Sequence, residues 1–201
     1  MRITIIYDNT VYRKDLQSDW GFAVLIETVN TPIILFDTGA NGKILLSNMK
    51  KLEINPMAIG EVFISHNHFD HTGGLSDFLK INNKVKVYNP SLFTEPTKIY
   101  KNVFSTGKLD GIEQSMGVIT EKGIVLIVGC SHPEMSHILD AASQFGKIYA
   151  IIGGLHGFKE FELFKNLELI CPTHCTQYIA EIKKLYPQKY IEGGAGRIIE
   201  I

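Results

Sequence analysis

The chain has 201 residues, of which 45% are hydrophobic and 20% are charged, as is ordinary for a soluble globular protein. A chain of this length suits one domain over residues 1–201, which would bury roughly 70% of the surface that the unfolded chain exposes. The 20 basic and 21 acidic side chains give a net charge of −1. No overall electrostatic attraction to nucleic acid or to an anionic membrane is therefore expected.

The start of the chain and its cysteines indicate the compartment. The apolar run at 3–7 is too short for a signal peptide, and no later stretch approaches the roughly 20 apolar residues of a membrane span. Three cysteines are an odd number in a chain without an export signal, which favours reduced thiols over a disulfide framework. We therefore expect a cytoplasmic protein that does not bind membranes.

The first ninety residues alternate strand and helix signals. β-branched apolar runs predict strands, and apolar residues at helical spacing predict helices. The expected elements are strands at 2–7, 21–29 and 32–36, a helix at 43–51, a strand at 61–65, a helix at 75–80 and a strand at 85–88. The second and third strands form a hairpin, and the last three elements form a βαβ-like unit.

The strand at 61–65 runs into a loop that carries three histidines and an aspartate. Its sequence is His66-Asn67-His68-Phe69-Asp70-His71. Because His66 and His68 lie two residues apart, both rings can bind one cation, while Asp70 and His71 project towards a second. Imidazole and carboxylate suit zinc, manganese and iron(II), and a cation pair about 3.5–4 Å apart is a known hydrolytic arrangement. The loop therefore predicts a binuclear metal site.

This His-x-His-x-Asp-His motif at a strand end resembles the signature of the metallo-β-lactamase superfamily. The resemblance implies an α/β fold, a four-layer αββα sandwich with two mixed sheets, outer helices and metal ions at one edge. It also implies that Asp37, in an Asp-Thr-Gly turn after an early strand, braces the metal-binding loop. A metal-bound imidazole needs such a partner at its other nitrogen. A simple Asx-turn is the alternative reading of Asp37.

The second half of the chain is less regular at its start. Residues 91–115 are expected to hold a short helix or lid and one or two edge strands. The later elements are a hairpin at 116–120 and 123–128, a helix at 134–144, a strand at 147–152, an amphipathic segment at 161–167, a strand from 169, a helix at 177–185, and a terminal strand pair at 190–192 and 197–201.

The strand at 123–128 is followed by Gly-Cys-Ser-His, which ends at His132. The resemblance implies a lone histidine at such a strand end, and this residue would complete the first cation's ligands with His66 and His68. His137, in the next helix, has no motif around it and is expected to be a surface or packing residue.

A later histidine, His174, stands in Pro-Thr-His-Cys after the strand from 169. It matches the family's last metal histidine, which would join Asp70 and His71 on the second cation. A separate zinc site of Cys171, His174 and Cys175 is disfavoured because a fourth ligand is missing and the three residues crowd one turn.

The strand at 147–152 departs from the family pattern. Many binuclear members carry a bridging aspartate about here, whereas this chain has Gly153-Gly154-Leu155-His156. His156 either binds the second cation or faces the substrate as a donor, and the third alternative is that it has no role. Without an anionic bridge, the repulsion between two divalent ions loses its usual compensation.

The resemblance implies a metallohydrolase with two divalent ions. Zinc is expected, with manganese or iron as alternatives. Water activated by the metal would attack a phosphoester, thioester or lactone of a small-molecule substrate, and Asp70 would orient that water as the catalytic residue. Nucleic acid is not an expected partner, and nothing indicates the oligomeric state.

Three other functions stand beside this one: a metal-dependent nuclease or phosphodiesterase, a di-iron redox protein and a non-catalytic metal-binding member. No basic run supports a nuclease, and di-iron members usually carry an acidic residue where Asn67 stands. The early Asp-Asn, Gly-Cys-Ser-His, Gly-Gly-x-His and His-Cys-Thr also resemble a small archaeal and bacterial subgroup within the superfamily. Its members are often named pterin-pathway phosphate-ester synthases.

Overall fold

The computed structural model describes residues 1–201, in which twelve strands and five α-helices form two compact units. Unit 1 comprises residues 1–89 and 193–201, and unit 2 comprises residues 90–192. None of the helices has the length and apolar character needed to cross a lipid bilayer. That the whole chain acts as a single domain stays a prediction.

The elements are numbered in chain order. They are β1 (Arg2–Tyr7), β2 (Ala23–Glu27), β3 (Ile33–Phe36), α1 (Gly42–Lys51), β4 (Ile59–Phe63), α2 (Phe69–Thr72), α3 (Leu75–Ile81), β5 (Lys86–Tyr88), β6 (Thr97–Lys98), β7 (Val103–Ser105), β8 (Met116–Thr120), β9 (Gly123–Val128), α4 (Met135–Ser143), β10 (Ile148–Gly154), β11 (Leu169–Thr173), α5 (Ile179–Leu185) and β12 (Ile198–Glu200). Short 3-10 helices lie at Pro56–Ala58 and Phe161–Phe164.

Unit 1 contains a mixed six-stranded sheet with the order β12-β1-β2-β3-β4-β5. β12, β1, β2 and β3 pair antiparallel, whereas β3, β4 and β5 pair parallel. A parallel neighbour needs a crossover connection, and α3 provides it between β4 and β5. The predicted βαβ-like unit is therefore confirmed, and it places the histidine loop at the carboxyl end of β4.

The core of unit 1 forms where α1 and α3 cover one face of this sheet. Leu45 and Met49 lie one turn apart on α1, so both enter the core together with Phe78 of α3. Asn48 is also buried, and its side-chain nitrogen donates to the carbonyls of Ile6 and Gln17. These hydrogen bonds hold the segment after β1 against α1.

Unit 2 contains a second mixed sheet with the order β11-β10-β9-β8-β7-β6. β11, β10 and β9 are parallel, and the remaining pairs are antiparallel. The carboxyl ends of three adjacent parallel strands lie at one edge of a sheet, where α/β proteins commonly bind ligands. The loops that contain His132, His156 and His174 all begin at this edge.

Aromatic packing strengthens unit 2 near β7 and β8. The rings of Phe104 and Phe145 stack with centroids 4.0 Å apart. A Cβ atom at position 117 would lie 2.0 Å from the Phe104 ring, so only glycine fits there. Phe104 belongs to a core cluster that also takes in apolar residues of β9, β10 and α4.

Two expectations from the sequence differ from the structure. Residues 91–115 contain β6 and β7 but no helix. The expected pairing of 190–192 with 197–201 is wrong: Tyr190 forms a parallel bridge to Ile170, while β12 pairs with β1. The backbone of Ala195 bonds to Thr10, which draws the end of the chain into unit 1.

Candidate metal centre

The histidine loop of unit 1 brings its donor atoms together in two pairs. Nε2 of His66 lies 3.1 Å from Nδ1 of His68. In the following helix α2, Nε2 of His71 lies 3.7 Å from Oδ2 of Asp70. His66, Asp70 and His71 are buried, while His68 is exposed. The loop therefore presents one nitrogen–nitrogen pair and one nitrogen–oxygen pair.

The carboxylate of Asp37 braces this loop through three hydrogen bonds. Its Oδ1 accepts from the backbone N–H of Ser65 at 2.7 Å, and its Oδ2 accepts from the Ser65 hydroxyl at 2.7 Å. Nδ1 of His71 lies 2.7 Å from the same Oδ2. Asp37 is fully buried and has a positive φ of 55°. The Ser65 N–H donates to Asp37 and not to a neighbouring strand, and β4 ends at Phe63 instead of residue 65.

These bonds determine where the ring protons of two histidines lie. A carboxylate only accepts, so Nδ1 of His71 carries a proton, and in the neutral ring Nε2 holds the lone pair. The Ser65 hydroxyl donates its hydrogen bond to Asp37, so its oxygen accepts from Nδ1 of His66, 2.9 Å away. His66 therefore also presents its lone pair at Nε2, the form that a metal ion requires.

Asp70 is oriented by an aromatic neighbour. The indole Nε1 of Trp20 donates to Oδ2 of Asp70 at 2.9 Å, although the Trp20 side chain is 53% exposed. The backbone N–H of Phe22 donates to the Asp70 carbonyl at 3.2 Å. The segment 20–22 thus fixes both the backbone and the carboxylate of Asp70.

The donor atoms of this loop fit a divalent metal ion. Nitrogens bound to one tetrahedral zinc at about 2.0–2.1 Å lie about 3.3 Å apart. The 3.1 Å between His66 and His68 is close to that separation. The nearby carboxylate and third imidazole complete a nitrogen and oxygen donor set that zinc, manganese and iron(II) accept.

In unit 2 the carboxyl ends of the parallel strands carry the other candidate residues. His132 follows β9, His156 follows β10 and His174 follows β11. His132 and His156 lie edge to face with ring centroids 5.1 Å apart. A ring nitrogen of His174 lies within 4.8 Å of the sulfur of Cys130, and both residues are buried. Cys130 is not among the ligands that the sequence predicts.

The loop before His132 is held by a buried acid that is also not among the residues predicted from the sequence. Oε1 of Glu113 accepts from the backbone N–H groups of Cys130 and Ser131, and its Oε2 accepts from the N–H of His132 at 3.0 Å. An acidic residue three positions before an apolar strand is the only signal in the sequence. Glu113 fixes the backbone of its loop, as Asp37 does in unit 1.

Several residues at these strand ends have left-handed backbone conformations. Their φ values are 53° for Ser131, 42° for His156 and 51° for His174. Non-glycine residues adopt this region at a cost and are enriched at functional sites. The Leu155 N–H donates to the Thr176 hydroxyl and the Gln177 N–H to the His156 carbonyl, which stabilises two of these turns.

A cavity of about 450 Å³ adjoins His132 and His156 in unit 2. Ser131, Phe158 and Lys159 also line it. The Ser131 hydroxyl is buried and has no hydrogen-bond partner within the protein. The Tyr178 phenol beside Lys159 raises the pKa of that amine, which therefore stays protonated.

His137 lies outside these groups. Its Nδ1 is 3.1 Å from the Asp110 carboxylate at an exposed position of α4, and that carboxylate raises the pKa of His137. It is a surface residue, one of the two alternatives considered for it from the sequence.

Two mixed sheets with histidine, aspartate and cysteine at their strand ends define an α/β protein equipped to bind metal ions. The sequence model of the metallo-beta-lactamase superfamily matches residues 21–159, and the chain belongs to that superfamily. A relative from Methanocaldococcus jannaschii is 27% identical over 98% of this chain and 95% of its own length. It is named 7,8-dihydropterin-6-methyl-4-(beta-D-ribofuranosyl)-aminobenzene-5'-phosphate synthase.

Solved structures show the same fold. Tm1679, described as a metal-dependent hydrolase of the beta-lactamase superfamily, has a TM-score of 0.79 at 24% identity, with 100% of this chain and 99% of that chain covered. The metallo-beta-lactamase fold protein YhfI from Bacillus subtilis has a TM-score of 0.69 at 13% identity, covering 100% and 98%. The predicted fold class is confirmed.

The Asp37→Asn variant tests how far one carboxylate prepares the loop. The asparagine oxygen can still accept a hydrogen bond, but its NH₂ group would face a donor, either Ser65 or Nδ1 of His71. The hydrogen bond that keeps the proton on Nδ1 of His71 is therefore lost or weakened. We expect metal affinity to fall by about 10–100-fold, as for other outer partners of metal ligands. Chelator competition measures this. Asp77→Asn, at an exposed ion pair with Lys80, is the control and should leave affinity unchanged.

Glu113→Gln tests the corresponding brace in unit 2. The amide nitrogen would face backbone N–H groups, so stability should fall by about 1–3 kcal/mol. Urea unfolding measures the loss, and amide hydrogen exchange should accelerate at residues 130–132. Glu121→Gln, in the exposed turn between β8 and β9, serves as the control. Equal exchange at 130–132 in both variants would contradict the assigned role.

Proposed function

We propose that this chain is a metal-dependent hydrolase that cleaves an ester-type bond in a small molecule. The supporting observation is the histidine loop, in which the Ser65 hydroxyl contacts Nδ1 of His66 and Asp37 contacts Nδ1 of His71, so that Nε2 of each ring is the candidate metal donor. Histidines that bind a metal ion almost always donate from their other ring nitrogen to an oxygen in this way. Membership of the superfamily supports the same function.

The proposed ligands form two sets. His66, His68 and His132 are assigned to one ion. Asp70, His71 and His174 are assigned to a second, and zinc is the preferred metal for both. The ions, when bound, supply Lewis acidity for the ester oxygen and make water nucleophilic at neutral pH.

The protein's own groups orient the reaction. Trp20 holds Oδ2 of Asp70 in one direction, so the carboxylate can accept a hydrogen bond from the attacking water and keep that water in line. Asp37 holds the His71 ring in place from its other side. Asp70 is therefore proposed as the catalytic residue, and Asp37 as a positioning residue.

The cavity beside His132 and His156 supports a small-molecule substrate. Its volume of about 450 Å³ falls in the usual range for ligand pockets. Protonated Lys159 and the Ser131 hydroxyl offer a positive charge and a hydrogen bond, which favour an anionic group. Among ester-type bonds, a phosphoester is therefore preferred over a thioester or lactone. We assign His156 to this substrate, because it is exposed and lines the cavity.

A second candidate function is the one in the name of the M. jannaschii relative, synthesis of a dihydropterin-linked ribofuranosyl aminobenzene phosphate. The alignment over 98% of this chain and 95% of that protein favours it. Quenching of dihydropterin fluorescence on titration with the metal-loaded protein would support this function. Turnover of simple phosphoesters without dihydropterin binding favours the hydrolase.

The His68→Ala variant tests the metal site. Loss of one nitrogen should lower metal content in protein purified without chelator. The rate of hydrolysis of phosphodiester, thioester and lactone substrates should fall by more than about 100-fold. A loss of about 100-fold is the largest expected when a residue that only hydrogen-bonds to a metal ligand is removed. Circular dichroism should stay unchanged because the side chain is exposed. His137→Ala is the matched control. Full metal and full activity in His68→Ala would overturn the proposed ligand set.

The His156→Asn variant separates its two possible roles. If His156 contacts the substrate, the variant should keep the wild-type metal content. Its KM for the phosphodiester should rise about 10-fold, as expected for the loss of an interaction worth about 1.4 kcal/mol. Metal analysis and steady-state kinetics on the same preparation measure both. Loss of one of the two ions would instead make His156 a ligand.

A further inference from the structure

The end of β10 leaves no room for a side chain. Gly153 has a φ of +133°, and a Cβ atom there would lie 1.8 Å from the carbonyl oxygen of Val128. A Cβ atom at Gly154 would lie 2.3 Å from the Gly129 carbonyl oxygen and 2.8 Å from the sulfur of Cys175. Such distances are far below van der Waals contact. Close backbone packing therefore leaves no room for an aspartate side chain at position 153 or 154.

The adjacent strand end supplies a different anionic donor. Cys130 follows β9, which is the parallel neighbour of β10, and its side chain is only 3% exposed. Its sulfur lies within 4.8 Å of a ring nitrogen of His174, and none of the three cysteines forms a disulfide. Glu113 accepts from its backbone N–H at 2.9 Å, so this thiol is attached to a braced loop.

The pair has the chemistry of a metal site. Zinc binds thiolate sulfur at about 2.3 Å and imidazole nitrogen at about 2.0–2.1 Å, which places the two donors about 3.6 Å apart. The separation of Cys130 and His174 lies within 4.8 Å, so a bound ion needs only a small adjustment of either side chain. Capture of the ion releases the thiol proton to solvent and leaves a thiolate ligand.

We infer that Cys130 is a further anionic ligand of the second ion, together with His174, and that it takes the place of a carboxylate at the end of β10. This inference rests on the proposed function. A thiolate offsets part of the charge of the ion, as the missing aspartate would, but it comes from β9. It also favours zinc over manganese and magnesium, because sulfur is a soft donor.

Cobalt substitution tests the inference directly. Protein stripped with chelator and titrated with Co²⁺ should develop a thiolate-to-cobalt charge-transfer band in the near ultraviolet. Cys130→Ser should lose that band and bind the second ion at least about 100-fold more weakly, while the first ion is retained. Cys171→Ser, at a buried position in β11, is the matched control and should keep the band. His68→Ala should keep it as well.

The outcomes separate the two proposals. A wild-type protein that binds two Co²⁺ ions without a thiolate band overturns the role of Cys130 and leaves the hydrolase standing. A protein that binds no Co²⁺ overturns both. If Cys130→Ser does not fold, alkylation of the wild type decides: Zn²⁺ should slow modification of Cys130 by iodoacetamide at least about 10-fold, as ligation consumes the thiolate. Equal rates with and without Zn²⁺ would refute the inference.

Discussion

The carboxylate of Asp37 is the point on which the histidine loop of unit 1 depends. Its three hydrogen bonds fix the backbone at Ser65 and orient the His71 ring, and through the Ser65 hydroxyl they also orient the His66 ring. The loop is therefore fixed by hydrogen bonds within the fold, and such fixing lowers the conformational cost of binding a ligand.

Unit 2 uses the same principle with a different residue. The Glu113 carboxylate accepts hydrogen bonds from the backbone N–H groups of three successive residues, so a buried acid fixes the loop after β9. Burying a charge is costly unless hydrogen bonds compensate it. Both units meet this condition at the loop that carries the candidate ligands. The stability of each loop and its chemical readiness thus arise from one set of interactions.

The sequence predicts those features that are local. The strands up to β5 follow from β-branched runs, and the histidine loop is recognisable because its donors lie within six residues. Glu113 and Cys130 could not be assigned in this way, since Glu113 acts on residues 130–132 and the Cys130 sulfur lies near His174, all far away in the sequence. The partner of β12 was predicted wrongly for the same reason, because pairing with β1 spans nearly the whole chain.

Trp20 gives the molecule a property beyond catalysis. It is the only tryptophan in the chain, it is half-exposed, and its indole N–H points at the Asp70 carboxylate. A change in the charge or position of that carboxylate alters the surroundings of the indole, which is the strongest fluorophore in the protein. Binding of an ion on this side of the loop should therefore change the intrinsic tryptophan fluorescence, which can be measured without a label and without turnover.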